Sequence, residues 1–347
     1  MNKLLARAIS SVAAITMVFS LAACGGSGSK VESTESAKPS ETAQASESAA
    51  APSSTEAAKK LVIGFAQVGA ESAWRTAETQ SIKDEAAKRG YDLKFSDAQQ
   101  KQENQIKAIR SFIQQKVDAI VVAPAVSSGW DTVFKEAQDA KIPVILVDRG
   151  VDCDPSLYST FIGSDFIEEG KNACIELAKA MGEKGNIVEL QGSVGASAAT
   201  DRQKGFAEEL KNHPGLKIIK TQSGDFARAK GKEVMESFLK SDGKNIQGVY
   251  AHNDDMGMGA IQAIEEAGLK PGVDIKIVGV DGIKDAFQAM VDGKYNATVE
   301  CNPLLGPQVF DAAETLVKGG TVEKWIKSQE GIYPADKAQE ALPNRVY

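Results

Sequence analysis

Histidine and cysteine are scarce in this chain, and their scarcity removes a class of chemistry. There are two His among 347 residues, His213 and His252, and no HExxH or CxxC spacing, so a metal centre with convergent His and Cys ligands is not expected. The charge is −7; without a basic face the chain is not expected to take a nucleic-acid partner. After the first twenty-odd residues no apolar run is long enough to span a bilayer. The Gly-rich stretch "GSVGASAAT", Gly192 to Thr200, lacks the Gly-Lys-Ser/Thr ending of a phosphate loop.

What is present begins at the N-terminus. Lys3 and Arg7 precede an apolar run from Ala8 to Ala23, followed by Cys24 and Gly25. This reads as a secretory signal peptide over residues 1–23, and its Leu21-Ala22-Ala23-Cys24 ending resembles the lipobox of bacterial lipoproteins. That resemblance implies cleavage before Cys24, a lipidated sulfur, and a protein anchored on the outer face of a cytoplasmic membrane. From residue 25 to about 60 the sequence is rich in Ser, Ala, Glu and Gly, with Val31 the one apolar residue larger than Ala. Such a stretch cannot bury enough to offset its ordering entropy. As a flexible coil it spans roughly 30 Å on average, enough to hold a folded body off a membrane. Three other cysteines remain, Cys153, Cys174 and Cys301; they allow at most one disulfide, and Cys174 sits in a helical apolar pattern expected to be core.

The body is expected to begin near Leu61. Short β-branched runs alternate with amphipathic ones: "LVIGFAQ", "YDLKFSD", "DAIVVAPA" and "IPVILVDR", then "NIVELQG", "LKIIKTQSG", "QGVYAHN" and "IKIVGVDG", each separated from the next by a helix-like segment. In "QENQIKAIRSFIQQ", Ile106, Ile109, Phe112 and Ile113 share one helical face. This rhythm predicts an α/β fold with parallel sheets covered by helices on both faces. The long irregular connection "DRGVDCDPSLYSTFIGSD" breaks the rhythm and argues for two doubly wound lobes over one continuous barrel.

Open parallel sheets bind ligands outside the carboxyl ends of their strands. There the sequence places Gln67 with Glu71, Trp74 and Arg75; Asp148 and Arg149; Asp201 and Arg202; Asp225 and Phe226; Asn253, Asp254 and Asp255; Asp281; and Glu300. Any one of these acids could be a plain helix N-cap, and Trp74 could be core. Together they suit a polyhydroxylated, uncharged ligand. Each sugar hydroxyl donates to a carboxylate and accepts from Arg or Asn, while Trp74 and Phe226 offer flat faces to a ring. Placing Arg149 and Arg202 among the carboxylates is expected to hold those carboxylates ionised, unlike the raised acid a glycosidase needs. His252 and Asn253 alternate on their strand, so His252 is expected to point to the back face.

The stretches "FAQVGAESAWRTAET", "DAQQKQENQIKAIRSF", "VELQGSVGAS", "SGDFARAKGKEVMESF" and "YAHNDDM" closely resemble the type I periplasmic sugar-binding proteins of ABC transporters, the ribose-binding family, and most of all its galactofuranose-binding branch. Arg75 beside Trp74 departs from the ribose-type pattern and is similar to that branch. The resemblance covers nearly all of residues 60–347. It implies a Venus-flytrap fold with crossovers near Gly163–Asp165, near Glu300 and near Gly331–Ile332. One lobe would take residues 61–164 and 301–330, the other 165–300 and 331–347. It further implies ligand contacts at Glu71, Trp74, Arg75, Asp148, Arg149, Asp165, Arg202, Phe226, Asn253, Asp281 and Glu300. The protein is then expected to be a monomer without cofactor or catalytic residue that binds a monosaccharide and delivers it to an ABC transporter permease. Ribose, arabinose and galactopyranose stay open beside galactofuranose, as does a sensing role upstream of a chemoreceptor or histidine kinase. A LacI-type regulator shares the fold but needs a helix-turn-helix where this chain has a leader and tether.

Overall fold

A computed structural model describes residues 60–347; the leader, Cys24 and the tether to residue 59 lie outside the described residues. Two six-stranded sheets form the framework. The first runs β11-β5-β4-β3-β1-β2 and the second β12-β10-β9-β8-β6-β7. In the first sheet β1 is Val62–Gln67, β2 Asp92–Asp97, β3 Ala119–Val122, β4 Val144–Val147, β5 Thr160–Gly163 and β11 Trp325–Lys327. In the second, β6 is Gly185–Gln191, β7 Leu216–Ser223, β8 Gly248–Ala251, β9 Lys276–Asp281, β10 Ala297–Glu300 and β12 Ile332–Pro334. The strands pair in parallel, except that β12 runs antiparallel to β10.

The central strands are apolar at every position because both faces are covered. Along β3, Ala119 and Val121 join one core cluster, while Ile120 and Val122 join another on the opposite face. Helices α1 (Ala73–Lys88) and α9 (Gly306–Val317) cover the first face through Ile82, Ala86, Val309 and Phe310. Helices α2 (Gln102–Gln114) and α3 (Asp131–Asp139) cover the other through Ile109, Phe112, Val133 and Phe134. Ile106 and Ile113 pack against that same cluster, half-buried, so the helical face read from the sequence is the one that is buried. In the second lobe one continuous core joins α4 (Phe166–Met181), α5 (Ser197–Glu209), α6 (Arg228–Asp242), α7 (Asp254–Glu266) and α8 (Lys284–Val291) to their sheet. Cys174 lies in that core, as expected, and Cys153, Cys174 and Cys301 are all free thiols.

The chain passes between the sheets three times: after β5, between β10 and α9, and between β11 and β12. The carboxyl ends of β1, β4, β6, β7, β8, β9 and β10 carry the residues that line the space between the lobes.

Candidate functional site

A cavity of about 270 Å³ lies between the lobes, lined by Glu71, Ser72, Trp74, Arg75, Asp148, Arg149, Ala198, Arg202, Phe226, Asn253, Asp281 and Cys301. The local chain geometry that aims these side chains is unusual. Asp148, Phe226 and Asp281 have φ of +64°, +60° and +124°, a region non-glycine residues seldom occupy and one that concentrates at functional sites. At three separate strand ends the backbone is bent to turn a side chain inward.

The first lobe contributes a charge network. The buried Arg75 guanidinium donates to Glu71 at 3.2 Å, to Glu78 at 2.6 Å and to Asp148 at 2.5 Å. Arg149 donates to Glu71 at 3.2 Å. Burial alone would raise the Glu71 carboxyl, but Arg75 and Arg149 outweigh it and hold the group below its ordinary range. Burial, together with the neighbouring Arg75, pulls Arg149 down from the usual guanidinium value. Glu71 Oε2 and Arg149 Nε are buried without a hydrogen-bond partner among the described residues, so both have capacity left for a ligand.

The second lobe answers with Arg202 on α5. It donates to Glu169 at 2.7 Å and to the His252 carbonyl at 2.7 Å, and its Nη2 stands 3.5 Å from Asp281. The Phe226 ring faces two guanidiniums, Arg149 at 5.2 Å and Arg202 at 5.9 Å, within range of a cation–π contact. Phe226 also explains the Gly-rich loop: a Cβ on Gly192 would fall 2.0 Å from its ring. Gly192 therefore makes room for an aromatic platform. Asn253 is the N-cap of α7, accepting from Met256 N at 3.1 Å and donating to the Phe226 carbonyl at 3.1 Å. It braces the turn that presents Phe226. Trp74 donates from Nε1 to the Cys301 carbonyl at 2.6 Å and is both core and cavity wall, which joins the two alternatives read from the sequence.

The expectation that arginines keep the acids ionised needs correction. It fits Glu71, but burial dominates at Asp281, which is pushed well above the usual carboxylate range despite Arg202. Burial likewise raises Glu169, to about 8, against the pull of Arg202. His252 does face away from Asn253: it is fully buried, bonded to Glu189 at 3.0 Å, and accepts from Gly192 N at 3.3 Å. Two predicted residues stand outside the cavity. Asp165 caps α4 through Glu168 N and pairs with Lys327 at 3.3 Å. Glu300 accepts from Gly331 N at 2.9 Å and pairs with Arg345, so both tie down hinge segments. Asp254 accepts from Gly282 N, Ile283 N, Tyr295 and Thr298 and holds the β9–α8 turn.

Among the described residues, Glu169, Cys301 and Glu330 bring one ligand atom each within 4.8 Å of one another. Glu169 already accepts from Arg202, and Glu330 accepts from Ser164 and Asn302 N. The trio is a hydrogen-bonded knot where the crossovers meet. Ser72, Ala198 and Cys301 line the cavity without being expected as ligand contacts from the sequence. Ser72 caps α1, and the other two carry no polar side-chain signal there.

Residues 63–321 match the family model described as periplasmic binding protein domain. The galactofuranose-binding protein YtfQ of Escherichia coli strain K12 is 56% identical over 298 residues, covering 84% of this chain and 94% of that protein. The arabinose ABC transporter component from Shewanella sp. ANA-3, solved with α- and β-L-arabinofuranose, superposes with a TM-score of 0.80 at 52% identity, covering 82% of this chain and 95% of that one. A Mycobacterium smegmatis protein solved with β-D-fucofuranose gives a TM-score of 0.80 at 53% identity, over 82% and 94% of the two chains. Two parallel-sheet lobes, three crossovers and a polar cavity between them agree with these matches: the chain belongs to the periplasmic binding protein family, as a type I sugar-binding protein of ABC transporters.

Proposed function

We propose that this protein captures one monosaccharide in its furanose form, galactofuranose above all, between the lobes and hands it unaltered to an ABC permease. The observation that carries this is the composition of a cavity of about 270 Å³: three buried guanidiniums, carboxylates in different protonation tendencies, and the flat faces of Trp74 and Phe226. Guanidiniums donate to ring and hydroxyl oxygens; Glu71 and Asp148 accept hydroxyl hydrogens. Hydrogen bonds to charged groups contribute about 1.5–3 kcal/mol each, so a handful reaches the roughly 8 kcal/mol of micromolar affinity after association costs. Furanoses in two solved relatives support the ring form, and galactofuranose follows the relative of highest identity given above.

The ligand set is Glu71, Trp74, Arg75, Asp148, Arg149, Arg202, Phe226, Asn253 and Asp281, drawn from both lobes, so ligand can stabilise closure only by touching both. Asp165 and Glu300 serve the hinge in this reading. Burial raises the Asp281 carboxyl against the pull of Arg202, which favours a donor role beside the acceptor one. Anchoring through a lipidated Cys24 and a monomeric body complete the proposal. Calorimetry of residues 60–347 with D-galactose, L-arabinose, D-fucose and D-ribose tests it, with NMR of the released sugar to assign ring form. Binding weaker than millimolar across the panel sinks the sugar reading, and turnover of furanosides would replace binding with catalysis. Mass spectrometry of the mature N-terminus tests the anchor; a terminus other than lipidated Cys24 removes it.

A further inference from the structure

Asp255 lies next to the cavity-lining Asn253 but does not line the cavity. Its carboxyl is buried at the base of α7 and reaches across the cleft: Oδ2 accepts from the backbone N of Ala73 at 2.7 Å. Ala73 is the first residue of α1, the helix whose next two residues are Trp74 and Arg75. The first N–H groups of a helix have no partner within it. In α1, Ser72 serves the N–H of Arg75, and a side chain from the other lobe serves that of Ala73. The positive end of the helix dipole further favours a carboxylate there. Asp255 is held from behind by Arg228, which donates to Oδ1 at 2.9 Å and is itself paired with Asp285 at 2.8 Å. Elsewhere the lobes meet through neutral groups, Ser127 N to the Gly195 carbonyl at 2.8 Å and Gly150 N to Ser197 at 3.0 Å.

We infer that Asp255 is a positioning residue for ligand capture: an interlobe latch that caps α1 only when the lobes are closed, fixing Trp74 and Arg75 against the ligand and slowing its escape. This rests on the proposed sugar capture but adds a residue that touches no ligand. Opening moves Ala73 away while Arg228 stays with Asp255 in its own lobe, so the carboxyl is preformed and only the cross-lobe bond is made and broken. The latch acts on dissociation more than on encounter, because the bond forms after the sugar has entered.

The test is a double-mutant cycle of Asp255→Ala with Ala73→Pro. Proline is accepted at the first helical position and removes the N–H that Asp255 binds; the extended Ser72, at φ −143° and ψ 164°, suits a residue before proline. For one charge-assisted hydrogen bond, each single change is expected to raise the dissociation rate of L-arabinose about tenfold. The double change should do no more than either single one. Melting of the unliganded variants should stay that of the parent. Parent-like dissociation from a folded Asp255→Ala protein, or losses that multiply in the double variant, overturns the latch. If the parent binds no sugar of the panel, the sugar reading fails separately. The latch is then decided by single-molecule energy transfer between lobe-attached dyes: a tenfold shorter closed lifetime in Asp255→Ala supports it, and an unchanged lifetime overturns it.

Discussion

A buried guanidinium with spare donors is an energetically awkward object, and Arg149 is the clearest case here. It is 3% exposed, donates to Glu71 and stacks over Phe226 from the other lobe. Lysine in its place would present a point charge in place of a fork and lose its proton more readily when buried. Arg149→Lys is expected to weaken sugar binding at least about tenfold, with affinity recovering as pH falls because only the protonated amine donates fully; calorimetry at pH 6 and 8 reads both effects, and an unchanged affinity refutes the assignment. Asp254 illustrates a different residue-scale effect. Burial lifts its carboxyl to about 7 from 3.8 in spite of the Thr298, Tyr295 and backbone donors around it. The folded state therefore keeps a proton that the unfolded chain releases near pH 4. Its stabilising contribution is complete below that point and is lost as pH rises through 7. Asp254→Asn keeps the shape without titrating, so between pH 5 and 7 the stability difference should move in favour of the variant by about 1.4 kcal/mol per pH unit, as read by urea unfolding. A difference that does not change with pH refutes the raised carboxyl.

At the scale of elements, the second lobe positions Arg202 by bringing two helices unusually close. A Cβ on Gly170 of α4 would sit 2.2 Å from the carbonyl oxygen of Arg202 itself, and one on Gly205 of α5 would sit 2.0 Å from that of Ile167. Backbone cannot yield as a flexible side chain does, so Gly170→Ala must push α5 outward. It is expected to destabilise the fold by about 1–3 kcal/mol and to weaken sugar binding in the same protein. Gly243→Ala, where the nearest atoms stand at 3.8 Å, should change neither, and urea titration beside calorimetry makes the comparison. This element-level design also shows how far the sequence could be read. Parallel strands must release their carboxyl ends on one side, so Asp148, Arg149, Arg202, Phe226, Asn253 and Asp281 were legible as a converging set. Side-chain direction at the last strand residue was not. Asp281 and Glu300 are register partners, and regular strands would send both to one face. A φ of +124° at Asp281 breaks that symmetry, leaving Glu300 to Arg345 and the hinge. Nor does any local pattern say that Asp255 would cap a helix 182 positions earlier, since that contact exists only through closure.

For the whole molecule, the observations describe a shut trap whose two jaws touch directly at Asp255, Ser127 and Gly150. A ligand that selects this form should compact the protein and stabilise it as a unit. At a hundred times its dissociation constant a bound sugar adds about 2.7 kcal/mol to stability, which thermal denaturation should show as one transition moving upward. Small-angle scattering should show the radius of gyration falling on sugar addition; two melting transitions of which only one responds, or an unchanged radius, would disprove coupled closure.

The threading of the chain through both sheets has one more consequence. Helix α9 fills the first lobe's core although it follows the second lobe's last parallel strand, and β11 and β12 finish the two sheet margins in turn. Neither half is whole until almost the entire polypeptide has been made, so a growing chain has no finished unit in which to set early. For the exported protein proposed above, late completion would keep the strand pliable enough to cross a narrow channel before it stiffens on the far side.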